Sequence, residues 1–142
     1  MMLILDTNVI SELRKVRIGK ANKNVARWAD SVTTADLFLS VITIQELEIG
    51  VLLAERRDSK KGAFLRAWLK YQVLPAFAGR ILPVSLEVAQ RSAKLHVPDP
   101  RPVREVLIAT TALVYGMIIV TRNVVDFEPI GVQVFNPWIR SQ

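Results

Sequence analysis

The chain has 142 residues, 51% of them hydrophobic and 7% aromatic, with a net charge of +6. That length suits one domain, 1–142, with a proper buried core. The absence of cysteine excludes disulfides, thiolate zinc sites and cysteine nucleophiles, and no apolar run approaches the ~20 residues of a transmembrane helix.

Leu3–Leu5 is a short apolar run that stops at Asp6, which predicts a first buried strand. Thr7–Leu13 reads as a helix, followed by a basic connection and a second helix around Asn24–Ala29. Leu37–Val41 is the next strand. Thr43 then opens a helix reaching Arg57, with Leu47, Val51 and Ala54 on one face. Asp58–Lys61 breaks it, and a long amphipathic helix carries Phe64, Leu65, Trp68, Leu69 and Val73 at helical spacing. After Pro75 and Gly79 come a strand at Ile81–Val84 and a helix at Leu86–Leu95. His96–Pro102 is a loop, because its alternate prolines remove donors and exclude the helical basin. It delivers Pro102 to the first turn of a helix over Val103–Tyr115, which Gly116 stops. Met117–Thr121 is a fourth strand, Asn123–Phe127 a turn, and Val132–Phe135 a last strand. Strands alternating with helices predict an α/β fold: a central parallel sheet of four to five strands with helices on both faces.

The chemistry lies in the placement of the acids. Asp6, Glu46, Glu105 and the Asn123/Asp126 pair each fall where a strand ends or a helix begins. In a parallel sheet those points share one edge, where such folds carry their sites. Each acid also has an ordinary structural use. Thr43-Ile-Gln-Glu46 fits a capping box, Glu105 suits a helix N-terminus, Asp6 suits an N-cap, and Asn123/Asp126 suit the cap of a short turn. Taken together, charges that converge to ~4 Å repel by roughly 4 kcal/mol at an effective dielectric of 20. Such a set needs a cation, a proton or a basic partner, and oxygen donors suit Mg²⁺ or Mn²⁺. Ala109 and Ala112 lie on the stripe of Glu105 and would let its helix approach the sheet closely. Thr7 and Thr121 would add hydroxyls beside the site.

The positive charge is concentrated. Residues 14–27 hold Arg14, Lys15, Arg17, Lys20, Lys23 and Arg27 without an acid, and the remainder of the chain is neutral. This stretch is either a phosphate-facing patch or a solvated connection. The lone His96, in the proline loop, reads as a surface residue rather than a general base.

The segments LDTNVISEL, SVITIQELEIGV, LPAFAGRILPV, VREVLIATTALVYGMIIVTRNVVDF and VFNPW resemble, in order and spacing, a PIN-domain ribonuclease of the VapC toxin type, near its FitB-like branch. The resemblance covers nearly the whole chain. It implies a single PIN-like domain and an Mg²⁺- or Mn²⁺-dependent endoribonuclease that cuts single-stranded RNA, a tRNA loop being one candidate, as the toxin of a toxin–antitoxin pair. The lack of a membrane-length apolar run and of a signal peptide adds the expectation of a cytoplasmic protein. By the same resemblance the metal falls to Asp6, Glu105 and Asn123 or Asp126, and Glu46 completes the cage or orients the attacking water. Arg122, with Arg14, Lys15 and Arg17, would meet phosphates. A VapB-type antitoxin and a homodimer within a larger assembly are implied as partners, and no membrane. One departure stands out: where the family usually has aspartate at the start of this helix, the chain has Glu105, longer by a methylene. Two rival readings follow: a PIN-like protein that binds nucleic acid or an antitoxin without cutting, and a receiver-like or flavodoxin-like module. The receiver is disfavoured, since no acceptor aspartate follows a later strand.

Overall fold

The computed structural model describes residues 1–139. Its strands are β1 (Leu3–Leu5), β2 (Leu37–Ser40), β3 (Ile81–Leu82), β4 (Ile118–Val120) and β5 (Val134–Phe135). Its helices are α1 (Thr7–Leu13), α2 (Lys23–Ser31), α3 (Val41–Arg57), α4 (Ser59–Trp68), α5 (Leu74–Ala76), α6 (Leu86–Lys94), α7 (Val103–Tyr115) and α8 (Val124–Phe127). The sheet is wholly parallel in the order β3-β2-β1-β4-β5. The chain winds outwards from β1 through β2 to β3, then returns to the other side of β1 for β4 and β5. The order reverses between β1 and β4, paired Leu3 to Ile118 and Leu5 to Val120. A crevice beyond the C-terminal ends of those two strands is where open α/β sheets bind ligands.

Alternation along β1 divides the core. Leu3 and Leu5 join Leu37, Leu39 and Val120 under α1, α3, α4 and the turn after α4, where Val9, Leu47, Val51, Trp68 and Leu69 are buried. Ile4 points the other way with Ile119 and meets Val106, Ala109 and Ala112 of α7 and Phe127 of α8. Both alanines are fully buried, so the small-residue stripe of α7 does face the sheet. At the end of α7, Gly116 takes the left-handed conformation (φ 66°) and turns the chain into β4.

α1 and α7 form over the expected residues; several other boundaries shift by one or more residues, and three of the shifts have a clear cause. Strand β2 ends at Ser40 because that hydroxyl accepts the N–H of Ile42 and starts α3 at Val41 rather than Thr43. Strand β3 stops at Leu82, since Pro83 has no N–H for the ladder. The break expected over Asp58–Lys61 is Asp58 alone. Its N–H donates to the Ala54 carbonyl, and its carboxylate accepts the N–H groups of Lys60 and Lys61. The second helix then folds back on α3, with Arg66 bonded to Glu48 at 2.6 Å and to Glu55 at 3.2 Å. It continues past Trp68 through a π turn over Leu69–Val73.

Gly62 sets how close α3 and α4 come. A Cβ there would stand 2.4 Å from the Glu55 Cα, which is backbone and cannot swing aside. Gly62→Ala is therefore expected to lower stability by about 1–3 kcal/mol, as overpacking does, although alanine is the better helix former by about 1 kcal/mol. A urea midpoint that rises instead would show that the two helices separate freely.

Candidate active site

Asp6 ends β1, is 7% exposed, and sits where the sheet order reverses. Its carboxylate caps α1 through the N–H of Thr7 at 2.8 Å. The same carboxylate accepts the Thr121 hydroxyl at 2.8 Å and the Asn8 amide at 3.2 Å. Thr121 follows β4, and its oxygen also accepts the N–H of Asn123 at 3.0 Å. Asn8 accepts the N–H of Arg122 at 3.3 Å. Two strand ends, β1 and β4, are thus tied together through one carboxylate. Burial pushes the Asp6 carboxyl above its ordinary value despite these bonds, and the charge of Glu46 adds to the shift.

Glu46 lies in the second turn of α3, and its Oε1 accepts the Thr7 hydroxyl at 2.6 Å. This corrects the capping-box expectation. Ser40 caps the helix, and Thr43, expected to be its opening residue, lies inside with a fully buried hydroxyl that has no hydrogen-bond partner. Glu46 is thereby free to serve the site. Its other oxygen faces the Arg104 Nε at 3.4 Å. Glu105 is in the first turn of α7 and partly buried. Burial raises its carboxyl, and the charges of Asp126, Asp6 and Glu46 raise it further, in that order. Acids drawn from four stretches of the chain therefore act on one another. Asp126, exposed in α8, bears on Glu105 more strongly than either of the other two acids. Asn123 reaches the array through its backbone N–H.

Carboxylate and amide oxygens are the donors a hard divalent cation takes. Among the described residues, no three His, Asp or Glu side chains stand together as a closed cage. Magnesium keeps several waters and uses one or two carboxylates, so the open arrangement fits that mode of binding.

Two cations of the basic segment are engaged within the fold. Arg14 stacks over Phe64 and Trp68, its carbon centre 5.9 Å from each ring. Lys15 pairs with Glu12 at 3.4 Å. Arg17 is exposed in a one-turn 3-10 helix beside them. Arg122 lies over the Trp138 ring at 5.4 Å. His96 accepts the N–H of Arg101 within the proline loop. No helix of the described residues is long and apolar enough to cross a membrane.

The PIN domain family profile matches residues 3–128, which include every acid of this array. The chain belongs to the PIN-domain family. This PIN domain is 37% identical to the VapC ribonuclease Y4jK of Sinorhizobium fredii over 142 residues, covering 96% of this chain and 98% of that protein. It is 38% identical to toxin FitB of Neisseria gonorrhoeae, covering 96% of this chain and 99% of that one. Among solved structures it resembles FitAcB from Neisseria gonorrhoeae with a TM-score of 0.87 at 37% identity, covering 98% and 100% of the two chains.

Two site residues of this PIN domain escape the sequence reading: Asn8 and Arg104. Arg104 left a usable signal. A cation in the first turn of a helix opposes the macrodipole by about 0.3–1 kcal/mol, so its presence there calls for a nearby anion. An exposed pair such as Arg104–Glu46 contributes only about 0–1 kcal/mol.

Proposed function

We propose that this PIN domain is a metal-dependent endoribonuclease that hydrolyses single-stranded RNA as the toxin of a toxin–antitoxin pair. The observation that carries the reading is the Asp6 carboxylate, held by Thr7, Asn8 and Thr121 at the point of strand reversal, with Glu46, Glu105 and Asp126 bearing on it or on each other. Relatives called VapC ribonuclease and toxin FitB support the activity and the biological role. The solved FitAcB complex supports a partner, here a VapB-type antitoxin, and the family resemblance adds a homodimer.

Asp6 and Glu105, with Asn123 or Asp126, would hold Mg²⁺ or Mn²⁺. When bound there, the ion lowers the pKa of water and stabilises charge on the phosphate. The protein groups do the positioning. Thr121 and Asn8 fix the Asp6 carboxylate in one orientation, and Thr7 fixes Glu46 by a hydroxyl 2.6 Å away. Glu46 then has one oxygen committed to Thr7 and one facing the cleft, suited to orienting the attacking water and taking its proton. Of the four cations that the resemblance assigns to phosphates, Arg122 and Arg17 are exposed and suit more distant phosphates; a tRNA loop is one candidate substrate.

Cleavage of a single-stranded RNA that needs added Mn²⁺ or Mg²⁺ tests the proposal. RNA binding without cleavage in either metal would favour the rival binding protein. Glu105 supplies a second test. Shortening it in Glu105→Asp is expected to raise the ratio of the Mg²⁺-supported rate to the Mn²⁺-supported rate by about tenfold, because magnesium tolerates little departure from octahedral geometry. An unchanged ratio would mean that Glu105 does not bind the ion directly.

A further inference from the structure

Arg104, Val103 and Pro102 line a cavity of about 360 Å³ together with Glu46 and Glu105. Of the residues lining it, Arg104 is the only cation, and its side chain is 53% exposed. One edge of its guanidinium, Nε, faces Glu46 at 3.4 Å. A long, single-point contact of this kind to a half-exposed arginine is easily exchanged. A phosphate is the better partner, because the other Glu46 oxygen is committed to Thr7, whereas a phosphate is free to take two parallel N–H bonds from the planar guanidinium.

The cavity presents a problem for any RNA that enters it. Its walls carry two carboxylates, and Asp6 and Asp126 act on the same region. A metal ion answers the charge of the phosphate it contacts, but the neighbouring phosphates of a strand meet the remaining acids. Two cations of the early chain are already engaged in the fold: Arg14 against Phe64 and Trp68, and Lys15 with Glu12. We propose that Arg104 takes a phosphate next to the scissile one, with Glu46 as its resting partner in the free protein. RNA entry then exchanges one anion for another on the guanidinium and releases the Glu46 oxygen to face the attacking water. Arg104 is a positioning residue in this scheme. The inference rests on the ribonuclease reading for the identity of the strand.

Equilibrium binding keeps the two ideas separable. The Asp6→Asn protein, free of divalent ions, is titrated into fluorescent oligouridylate and oligoadenylate by anisotropy over a range of salt. Adding Arg104→Gln is expected to weaken binding about tenfold at low salt, equally for both oligomers. It should also reduce the slope of log K against log salt by about 0.7, the value for one phosphate on a single strand. Arg104→Lys should restore the slope, since charge rather than shape sets it. A structural role for Arg104 would leave the slope untouched. An unchanged slope and affinity in the glutamine variant overturn the proposal, as does a protein that binds neither oligomer. Cleavage by the unmodified protein with Mn²⁺ is scored separately. A nuclease with an unchanged slope refutes only the role of Arg104, whereas a lowered slope without cleavage refutes only the ribonuclease reading.

Discussion

Asp6→Asn is expected to reduce RNA cleavage by at least about 100-fold while the protein still folds. Loss of a residue that merely supports a metal ligand costs about 10–100-fold, and Asp6 would be a ligand itself. Its carboxylate is also the anchor of the array, holding Thr121 from β4 and Asn8 from α1. Asparagine keeps one oxygen for the N–H of Thr7 but presents an amide where Asn8 and Thr121 now donate. Against those two bonds stands the removal of a charge that burial disfavours.

The two effects separate by pH. Asp6 and Glu105 have ordinary values of 3.8 and 4.5, and both are raised in the folded protein, chiefly by burial. A raised acid binds its proton more tightly folded than unfolded. Its contribution to stability is therefore complete below the ordinary value and is lost as pH rises through the folded one. The Asp6→Asn variant no longer has this loss at residue 6. Compared with the unmodified protein without metal, it should melt relatively higher at pH 7 than at pH 4. A variant that melts several degrees lower at both would mark Asp6 as a structural cap whose bonds outweigh its charge. Cleavage assays on the same preparations show whether activity goes with the carboxylate.

Much of this arrangement is legible in the residues. The run Leu3–Leu5 followed at once by Asp6 identifies β1, because three buried apolar residues and a carboxylate leave little choice of face. Pro102 and Gly116 bracket α7 to the residue, each acting through its own backbone restriction. The start of α3 was not legible in the same way. Ser40 and Thr43 can both cap a helix, and the choice falls to Ser40, whose pairing with Leu82 of β3 fixes where β2 ends. The hydrogen bond from Thr7 to Glu46 spans 39 residues, and no local pattern records it. Its consequence is structural: it turns an apparent capping glutamate towards the Asp6 end of β1. The π turn after Trp68 likewise depends on how α4 seats against α3 around Gly62, a tertiary fit. Clustering of the basic residues left two readings open, since a linear run of charge carries no statement of face; in the fold Arg14 lies against aromatic rings.

The antitoxin is expected to inhibit by placing an arginine among Asp6, Glu46 and Glu105, in competition with the metal. The physical motive is independent of ancestry. Acids that raise one another are relieved by any cation, and a guanidinium satisfies a carboxylate with two parallel bonds. The chain already shows the preference in miniature, for its own Arg104 stands against Glu46. An arginine from a partner segment laid across the cleft would be less exposed than Arg104 and better held. Removing one member of a buried, hydrogen-bonded charge pair costs about 2–5 kcal/mol. Glu46→Gln or Asp6→Asn should therefore weaken antitoxin binding by more than about tenfold. Rising Mn²⁺ should weaken it too, by mass action at the shared carboxylates. Titrating antitoxin into the protein by calorimetry, with and without Mn²⁺, measures both effects. An affinity indifferent to the metal and to the substitutions would mean that inhibition works from another surface. The groove between α1 and the turn after α4, where Arg14 and Arg17 meet Trp68 and Phe77, would then be the place to look.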